Sequence, residues 1–555
     1  MAIDMTGQRL SRRRFLVASA AAASLGLLEA CSSPAAPAQT PAATKAAVSA
    51  TAPAAQAPAS STTAAPAATV VAGEPKRGGT FTIGFTANLA DFNPVQTAIA
   101  TYYIMRPMFS TLIRQDYQLM AYPELAEKWD ISADGKTVTL KLREGVKYHS
   151  GREFTSADVK FSWEYASTEP STTQIALFKQ VKAVETPEKY VAVMKLDDLN
   201  TGILDLLDTL YMLDKETFPA SKANTAIGTG PFKLDKYVPN DRFEAVAFKD
   251  YWDKGKPYVD RYVGRTIPDV GSLSINLESG AIDAMQGVGA TDIVRLRGTG
   301  KFGVFDGAPG VAFYAVSLNC KTPPFDNKKV RQAIAWSIDR ARFCRANLAG
   351  LSQPTTLIWS PASWAYFQDL EGKLGYDLSK AAALLKEAGF EKGFDTEIVT
   401  SAKTNQGYFD LANVLQGDLA KLNIKAKIID LDTAGWRDTF VNKREYAIGM
   451  YSYGRANRDP GTVLTAAKGF TNDKEGGLAR FESPQWDSLR KDFNSTLDRQ
   501  KRIPIARQIQ EFALDGSWNL TVAPTVNAAV YANYVKGYST DLDNSPLAGY
   551  VWLDR

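Results

Sequence analysis

Histidine occurs once in the 555 residues, at His149. Any acid–base relay that needs an imidazole must therefore be built there. Ser150 follows it, but adjacency along the chain is not relay geometry, and no nucleophile-elbow sequence marks an exposed serine. His149 instead reads as a structural residue just before a turn at Gly151. One histidine excludes a multi-histidine zinc centre. Three cysteines exclude a disulfide framework. Cys320 and Cys344 either pair in an oxidising compartment or stay as buried free thiols. Carboxylates are numerous but scattered, so no glycosidase pair can be chosen. Gly298-Thr299-Gly300-Lys301-Phe302-Gly303 has the spelling of a dinucleotide loop. That loop needs a strand before it and a helix after it. Here a helical pattern precedes and a strand-like run follows, so a plain glycine loop is expected. No catalytic residue, cofactor or metal site is read from the chain.

Aromatic density in the second half is what remains. Trp359, Trp364, Tyr366 and Phe367 fall close together, and Trp436, Tyr451 and Tyr453 follow, with Arg455 beside them. Most aromatics build core. Walls of aromatics with a few polar groups also line enclosed small-molecule sites.

The elements that would position such a site follow from periodicity. A chain this long exceeds one core, so two or three lobes are expected. With 45% hydrophobic and 22% charged residues it is globular, and a net charge of +4 gives no basic field for nucleic acid. Residues 80–85 alternate like a strand. Asp134-Gly135 joins two alternating runs as a hairpin. Residues 157–166 and 326–348 have helical patterning. Asp377 is a helix N-cap, with Gly389 as the matching stop. Tyr408, Leu411, Ala412, Leu415, Leu419 and Leu422 share a helix face, and Ile424, Ala426 and Ile428 then alternate as a half-buried strand. Helix-then-strand units of this kind predict a mixed α/β lobe.

The N-terminus reads as an address. Ser11-Arg12-Arg13-Arg14-Phe15-Leu16 precedes an apolar run of about 14 residues, too short for a membrane span. Residues 1–30 resemble a twin-arginine export signal. Leu28-Glu29-Ala30-Cys31 resembles the lipobox of bacterial lipoproteins, with Cys31 as the lipidated residue and Glu29 as a departure from the pattern. Residues 31–75 are then nearly all Ala, Pro, Thr, Ser and Val, a composition that cannot bury a core and reads as a disordered tether. Such a linker would hold a domain roughly 30–40 Å from its anchor.

Many stretches, in order, resemble the family 5 extracellular solute-binding proteins of bacterial ABC importers, the dipeptide, oligopeptide and nickel type. They include Pro123-Glu124-Leu125-Ala126-Glu127-Lys128-Trp129, Leu142-Arg143-Glu144-Gly145-Val146-Lys147-Tyr148-His149 and Phe154-Thr155-Ser156-Ala157-Asp158-Val159. Gly228-Thr229-Gly230-Pro231-Phe232, Asp250-Tyr251-Trp252, Pro323-Pro324-Phe325-Asp326, Val330-Arg331-Gln332-Ala333-Ile334 and Glu387-Ala388-Gly389-Phe390 continue the match. Ser150 stands where an aspartate is common.

The resemblance implies an α/β fold: a periplasmic-binding-protein clamshell of two mixed α/β lobes plus an extra domain, after the tether. The first lobe would comprise 76–114, 213–310 and 521–555, the extra domain 115–212, and the second lobe 311–520. The implied function is non-enzymatic: a monomeric, lipid-anchored receptor on the outer face of the cytoplasmic membrane. It would capture a small solute, a peptide-like, oligosaccharide or anionic or aromatic compound, between the lobes and deliver it to an ABC importer permease. A tethered secreted hydrolase, or a sensor or chaperone with the same clamshell, is the alternative. Expected ligand-binding residues are Tyr102 and Tyr103 from the first lobe and Trp436, Tyr451, Tyr453 and Arg455 from the second, with Trp359 and Trp364. Peptide-binding relatives hold the peptide's ammonium with an aspartate; counting back from Pro460 puts that position at Ala456, between Arg455 and Arg458. A buried ammonium there would lack a counter-charge, whereas the arginines suit a carboxylate or other anion. Nickel bound by protein imidazoles is hard to support with His149 alone.

Overall fold

Alternating burial along Thr80–Phe85 makes it a strand, and in the computed structural model it lies inside a seven-stranded sheet. The structure describes residues 74–555 apart from 90–91, 96–101, 170–174, 222–225 and 308–309. The expected export signal and Cys31 therefore lie outside the described residues. In spatial order the sheet runs Phe302–Phe305, Ala529–Ala532, Ala284–Gln286, Thr80–Phe85, Arg261–Thr266, Arg242–Ala247 and Phe232–Val238. Thr80–Phe85 is parallel to both of its neighbours, and the remaining pairs are antiparallel.

A second, five-stranded sheet runs Lys425–Asp430, Asp395–Thr400, Ile448–Gly454, Ala312–Leu318 and Asn519–Pro524. Its first three strands are parallel, which requires the crossover helix Gln406–Ala420 between Asp395–Thr400 and Lys425–Asp430. That helix buries Tyr408, Leu411, Ala412, Leu415 and Leu419, the face its spacing predicts. The Asp377 carboxylate accepts from Lys380 N, and Gly389 ends the helix region with φ +84°. Residues 326–348 form two helices where the pattern suggested one. Ile338 is extended, and Asp339 caps the second helix by accepting from Arg342 N. The helical period survives such a break, so periodicity could not reveal it.

A third sheet is antiparallel and four-stranded: Ala126–Ile131, Thr137–Leu142, Val191–Leu196 and Val181–Glu188, with the helix Ser156–Thr168 packed on it. Gly135 takes φ +68° in the hairpin, a backbone conformation that side chains disfavour.

The chain passes from the first sheet to the second between Phe302–Phe305 and Ala312–Leu318. It returns between Asn519–Pro524 and Ala529–Ala532. Thr525 N donates to Ala312 O at 2.8 Å, joining the two passages side by side. Asn519–Pro524 pairs along Ala312–Leu318, so residues 521–524 belong with the second sheet rather than the first lobe. The ladder continues past the point where the sequence division was drawn. Among the described residues no helix is long and apolar enough to cross a membrane.

Candidate functional site

The strand Ile448–Gly454 ends in a tight turn. Arg455 has φ +68°, which costs a non-glycine residue about 1–2 kcal/mol. Its amide donates to Val311 O at 2.8 Å, and Arg458 N donates back to Arg455 O at 3.0 Å. Asp459 then caps the helix Pro460–Ala466 by accepting from Gly461 N. This turn lies at a seam with the segment 200–208 and the C-terminal segment 541–543.

Three arginines meet four carboxylates at the seam. Arg458 is fully buried; it pairs with Asp208 Oδ2 and, at 2.7 Å, with Asp543. Arg106 is equally enclosed and binds Asp208 at 2.6 Å, Asp541 at 2.8 Å and Glu124 at 2.9 Å. Burial alone would lower both guanidinium pKa values, but Tyr211 and the surrounding carboxylates at Arg106, and the carboxylates at Arg458, outweigh it and raise them. Asp543 is held below the usual carboxylate range, because Arg458 and Arg455 offset its burial. Arg455 is less committed. Its Nη2 is 3.9 Å from Asp543, its side chain is 13% exposed, and its Nη1 is buried without a hydrogen-bond partner among the described residues. Asn457 Nδ2 donates to Leu542 O at 2.8 Å.

Two glycines allow this approach. A Cβ on Gly202 would stand 2.7 Å from Thr462 Oγ1, and one on Gly461 would stand 2.3 Å from Asn494 Oδ1 and 2.8 Å from Thr201 Oγ1. Asp459 itself is clamped by Arg502 at 2.6 Å.

Of the aromatics expected around a ligand, Trp359 supports this turn from behind. Trp359 is fully buried and donates from Nε1 to Pro460 O at 3.1 Å. Tyr453 donates to Ile358 O at 2.9 Å, and Tyr451 to Asn519 Oδ1 at 2.7 Å. Trp364 is half-buried, stacked on Phe493, with Arg499 and Arg502 over its ring. Trp436 is half-buried between Tyr408 and Phe440 and donates to Met450 O at 3.3 Å. Tyr103 stacks on Phe85 at 4.0 Å inside the first-lobe core. Of Tyr102 the structure describes the helical backbone alone. Trp359, Tyr103, Tyr451 and Tyr453, expected at a ligand, are buried among core side chains in this structure. Their rings are enclosed within their own lobes, and the polar tips of Trp359, Tyr451 and Tyr453 are satisfied by second-lobe partners. Of the expected residues, the structure brings Arg455 to the seam. Sequence reading missed Arg106, Glu124, Asp205, Asp208, Asp541 and Asp543, because four distant stretches supply them and nothing local marks any of them.

His149 is a structural residue. It is buried, accepts at Nδ1 from Gly228 N at 3.3 Å and donates from Nε2 to Gly230 O at 3.0 Å. Burial pushes its pKa down from 6.5 to about 4. The neutral form is thus favoured in the fold; the resulting stability is full above pH 6.5 and is lost as pH falls towards 4. Acidification across that window is expected to remove about 3 kcal/mol through this residue. Urea titrations at several pH values should show this slope flattened in His149→Gln; an equal slope in the variant would reject the assignment. Cys320 and Cys344 are both free thiols, one half-buried and one buried.

Two cavities, of about 490 and 10 Å³, lie within the second lobe, the larger beside Lys392, Asn423 and Lys425 and the smaller beneath Arg340. Neither touches the seam.

Known proteins share this architecture. A periplasmic binding protein from Helicobacter pylori in complex with the peptide STSA superposes with TM-score 0.75 at 24% identity, covering 86% of this chain and 99% of that one. A binding protein of A. tumefaciens R10 in complex with agropinic acid gives TM-score 0.76 at 22% identity, covering 86% and 99%. In sequence, the chain is 28% identical over 453 residues to the dipeptide-binding protein of Escherichia coli, covering 76% of this chain and 84% of that one. It is 27% identical over 450 residues to heme-binding protein A of Haemophilus influenzae, covering 75% and 81%. The family described as bacterial extracellular solute-binding proteins, family 5 middle, matches residues 121–475. With that match spanning more than half its length, the chain belongs to the family 5 solute-binding proteins of ABC importers.

Proposed function

We propose that this protein is a lipid-anchored receptor outside the cytoplasmic membrane that captures a small solute bearing an anionic group and passes it unaltered to an ABC permease. The observation that carries the ligand class is Arg455, mostly buried at the seam, with Nη1 unpartnered among the described residues, where no aspartate occupies position 456. A guanidinium with a free edge accepts a carboxylate at two points. The lobes would be 76–114, 213–310 and the chain beyond 525 on one side and 311–524 on the other, with 115–212 as the extra domain. Closure would turn on the paired passages beside Thr525 and Ala312. The leader with Arg12 and Arg13, and Cys31 with its Ala/Pro/Thr tether, support export and anchoring. Relatives named for dipeptides and heme, and a similar structure in complex with agropinic acid, support a small solute as the ligand.

A thermal-shift screen against free-amine dipeptides, oligosaccharides and small carboxylates tests the ligand class. A true ligand at 100 times its Kd stabilises by about 2.7 kcal/mol. Carboxylates are expected to shift the melt and free-amine dipeptides to leave it unchanged. Arg455→Ala should weaken the response to the active carboxylate by roughly 10- to 150-fold in affinity, the range for one hydrogen bond to a charged group. Clear shifts with several dipeptides would overturn the assignment.

A further inference from the structure

Asp205 sits in the helix Ile203–Thr209, on the 115–212 side of the seam, and is fully buried. Its Oδ2 accepts from Asp459 N at 3.0 Å and from Thr462 Oγ1 at 2.6 Å, both in the second lobe. These bonds take hold of the turn that presents Arg455. Oδ1 is buried and has no hydrogen-bond partner among the described residues. The charged groups facing it are Arg458, Arg455 and Asp459 from the turn. Behind them stand Asp208, already shared by Arg106 and Arg458, and Arg502, already shared with Asp459. Among the described residues no cation pairs with Asp205 directly; its two donors are an amide and a hydroxyl.

The geometry points to Asp205 as a positioning residue that fastens the Arg455–Asp459 turn across the seam and takes up a proton as the lobes close. The inference rests on the seam being the site proposed above. An ionised carboxylate here is stripped of water and receives two neutral hydrogen bonds, while Arg458 and Arg502 are engaged by other acids and Arg455 stands 3.9 Å from Asp543. The neutral acid keeps the same acceptor oxygen for Asp459 N and Thr462 Oγ1 and places its proton on the idle Oδ1. Burial, the largest influence, pushes the pKa from 3.8 up to about 6. A raised carboxylate pKa means the closed seam is disfavoured above pH 6 and gains as pH falls through 6. When the seam opens, Asp205 regains water and its ordinary value. Linkage then makes the closed form about 10-fold more populated relative to the open form at pH 5 than at pH 7.

Hydrogen exchange tests this without any ligand. Deuterium uptake of the full chain is followed by mass spectrometry for peptides covering 455–462, with rates corrected for intrinsic pH dependence. The wild type is expected to show about 10-fold slower exchange at pH 5 than at pH 7 in these peptides. Asp205→Asn, neutral at all pH values, should abolish that step while peptides from the sheet Lys425–Asp430 remain protected. Thr462→Val, which keeps the carboxylate but removes one donor, should speed exchange at both pH values and retain the step. A pH-independent wild type, or a step surviving in Asp205→Asn, would overturn the proposal. Because no solute enters the experiment, failure of the anionic-ligand reading would leave this result unchanged.

Discussion

Arg106→Met is expected to destabilise the protein by about 3–5 kcal/mol, measured as the loss in urea-unfolding free energy at pH 7. Methionine fills much of the arginine's volume and lacks its charge, so the loss reports charge removal more than cavity formation. Arg106 is 6% exposed and makes ion pairs with Glu124, Asp208 and Asp541. Each acid keeps some partners without it. Thr111 Oγ1 donates to Glu124, Gln115 N to Asp208, and the amides of Asp543 and Ser545 to Asp541. These are neutral donors, and they leave the cluster's four carboxylates with Arg458, paired to Asp208 and Asp543, and with Arg455 3.9 Å from Asp543. In the variant the carboxylates repel one another more strongly. Its deficit should therefore shrink as pH falls below about 5, where neutralising the acids relieves the repulsion. A loss below 1 kcal/mol, or a deficit that does not change with pH, would show that the acids find other compensation.

Arg458→Met acts on a different equilibrium. Arg458 reaches from the second-lobe turn to Asp208 and Asp543, so its bonds form across the seam rather than inside one lobe. Truncating one partner of a buried, hydrogen-bonded charge pair costs about 2–5 kcal/mol. Here that cost falls on closure, and the closed form should become roughly 30- to 4000-fold less populated relative to the open one. Small-angle scattering should show a larger radius of gyration for the variant without ligand. Any compound identified by the thermal-shift screen should bind more weakly by a comparable factor. Unfolding of each lobe should change little, since both sheets and their helices keep their own cores. An unchanged radius together with unchanged affinity would mean that the seam is held by something other than this ion pair.

Much of the local structure was legible because it depends on neighbours in sequence. The Asp134-Gly135 hairpin, the cap at Asp377, the stop at Gly389 and the buried face of Gln406–Ala420 all follow from residues within a few positions of one another. The break at Ile338 and the last residues of Asn519–Pro524 were not legible. The first is a cap inside an unbroken helical period; the second depends on which distant strand supplies hydrogen bonds.

The aromatics separate the two kinds of information most clearly. Composition identified Trp359, Tyr451 and Tyr453 as a notable group, but ring type cannot say whether a side chain faces a ligand or its own lobe. Tertiary packing turned them inward behind Pro460 and the second sheet.

By itself the sequence determined the class of molecule. One histidine, few cysteines, a modest net charge and a run of family stretches pointed to the two-lobed family 5 solute-binding proteins, the family to which the chain belongs. Only the tertiary structure decided where its charges meet. Asp205, Asp208, Asp541 and Asp543 are ordinary acids along the chain, hundreds of residues from Arg106 or Arg458 in several pairings. Coulomb attraction and desolvation depend on distance and water, not on sequence separation, so folding alone assembles them into one buried seam.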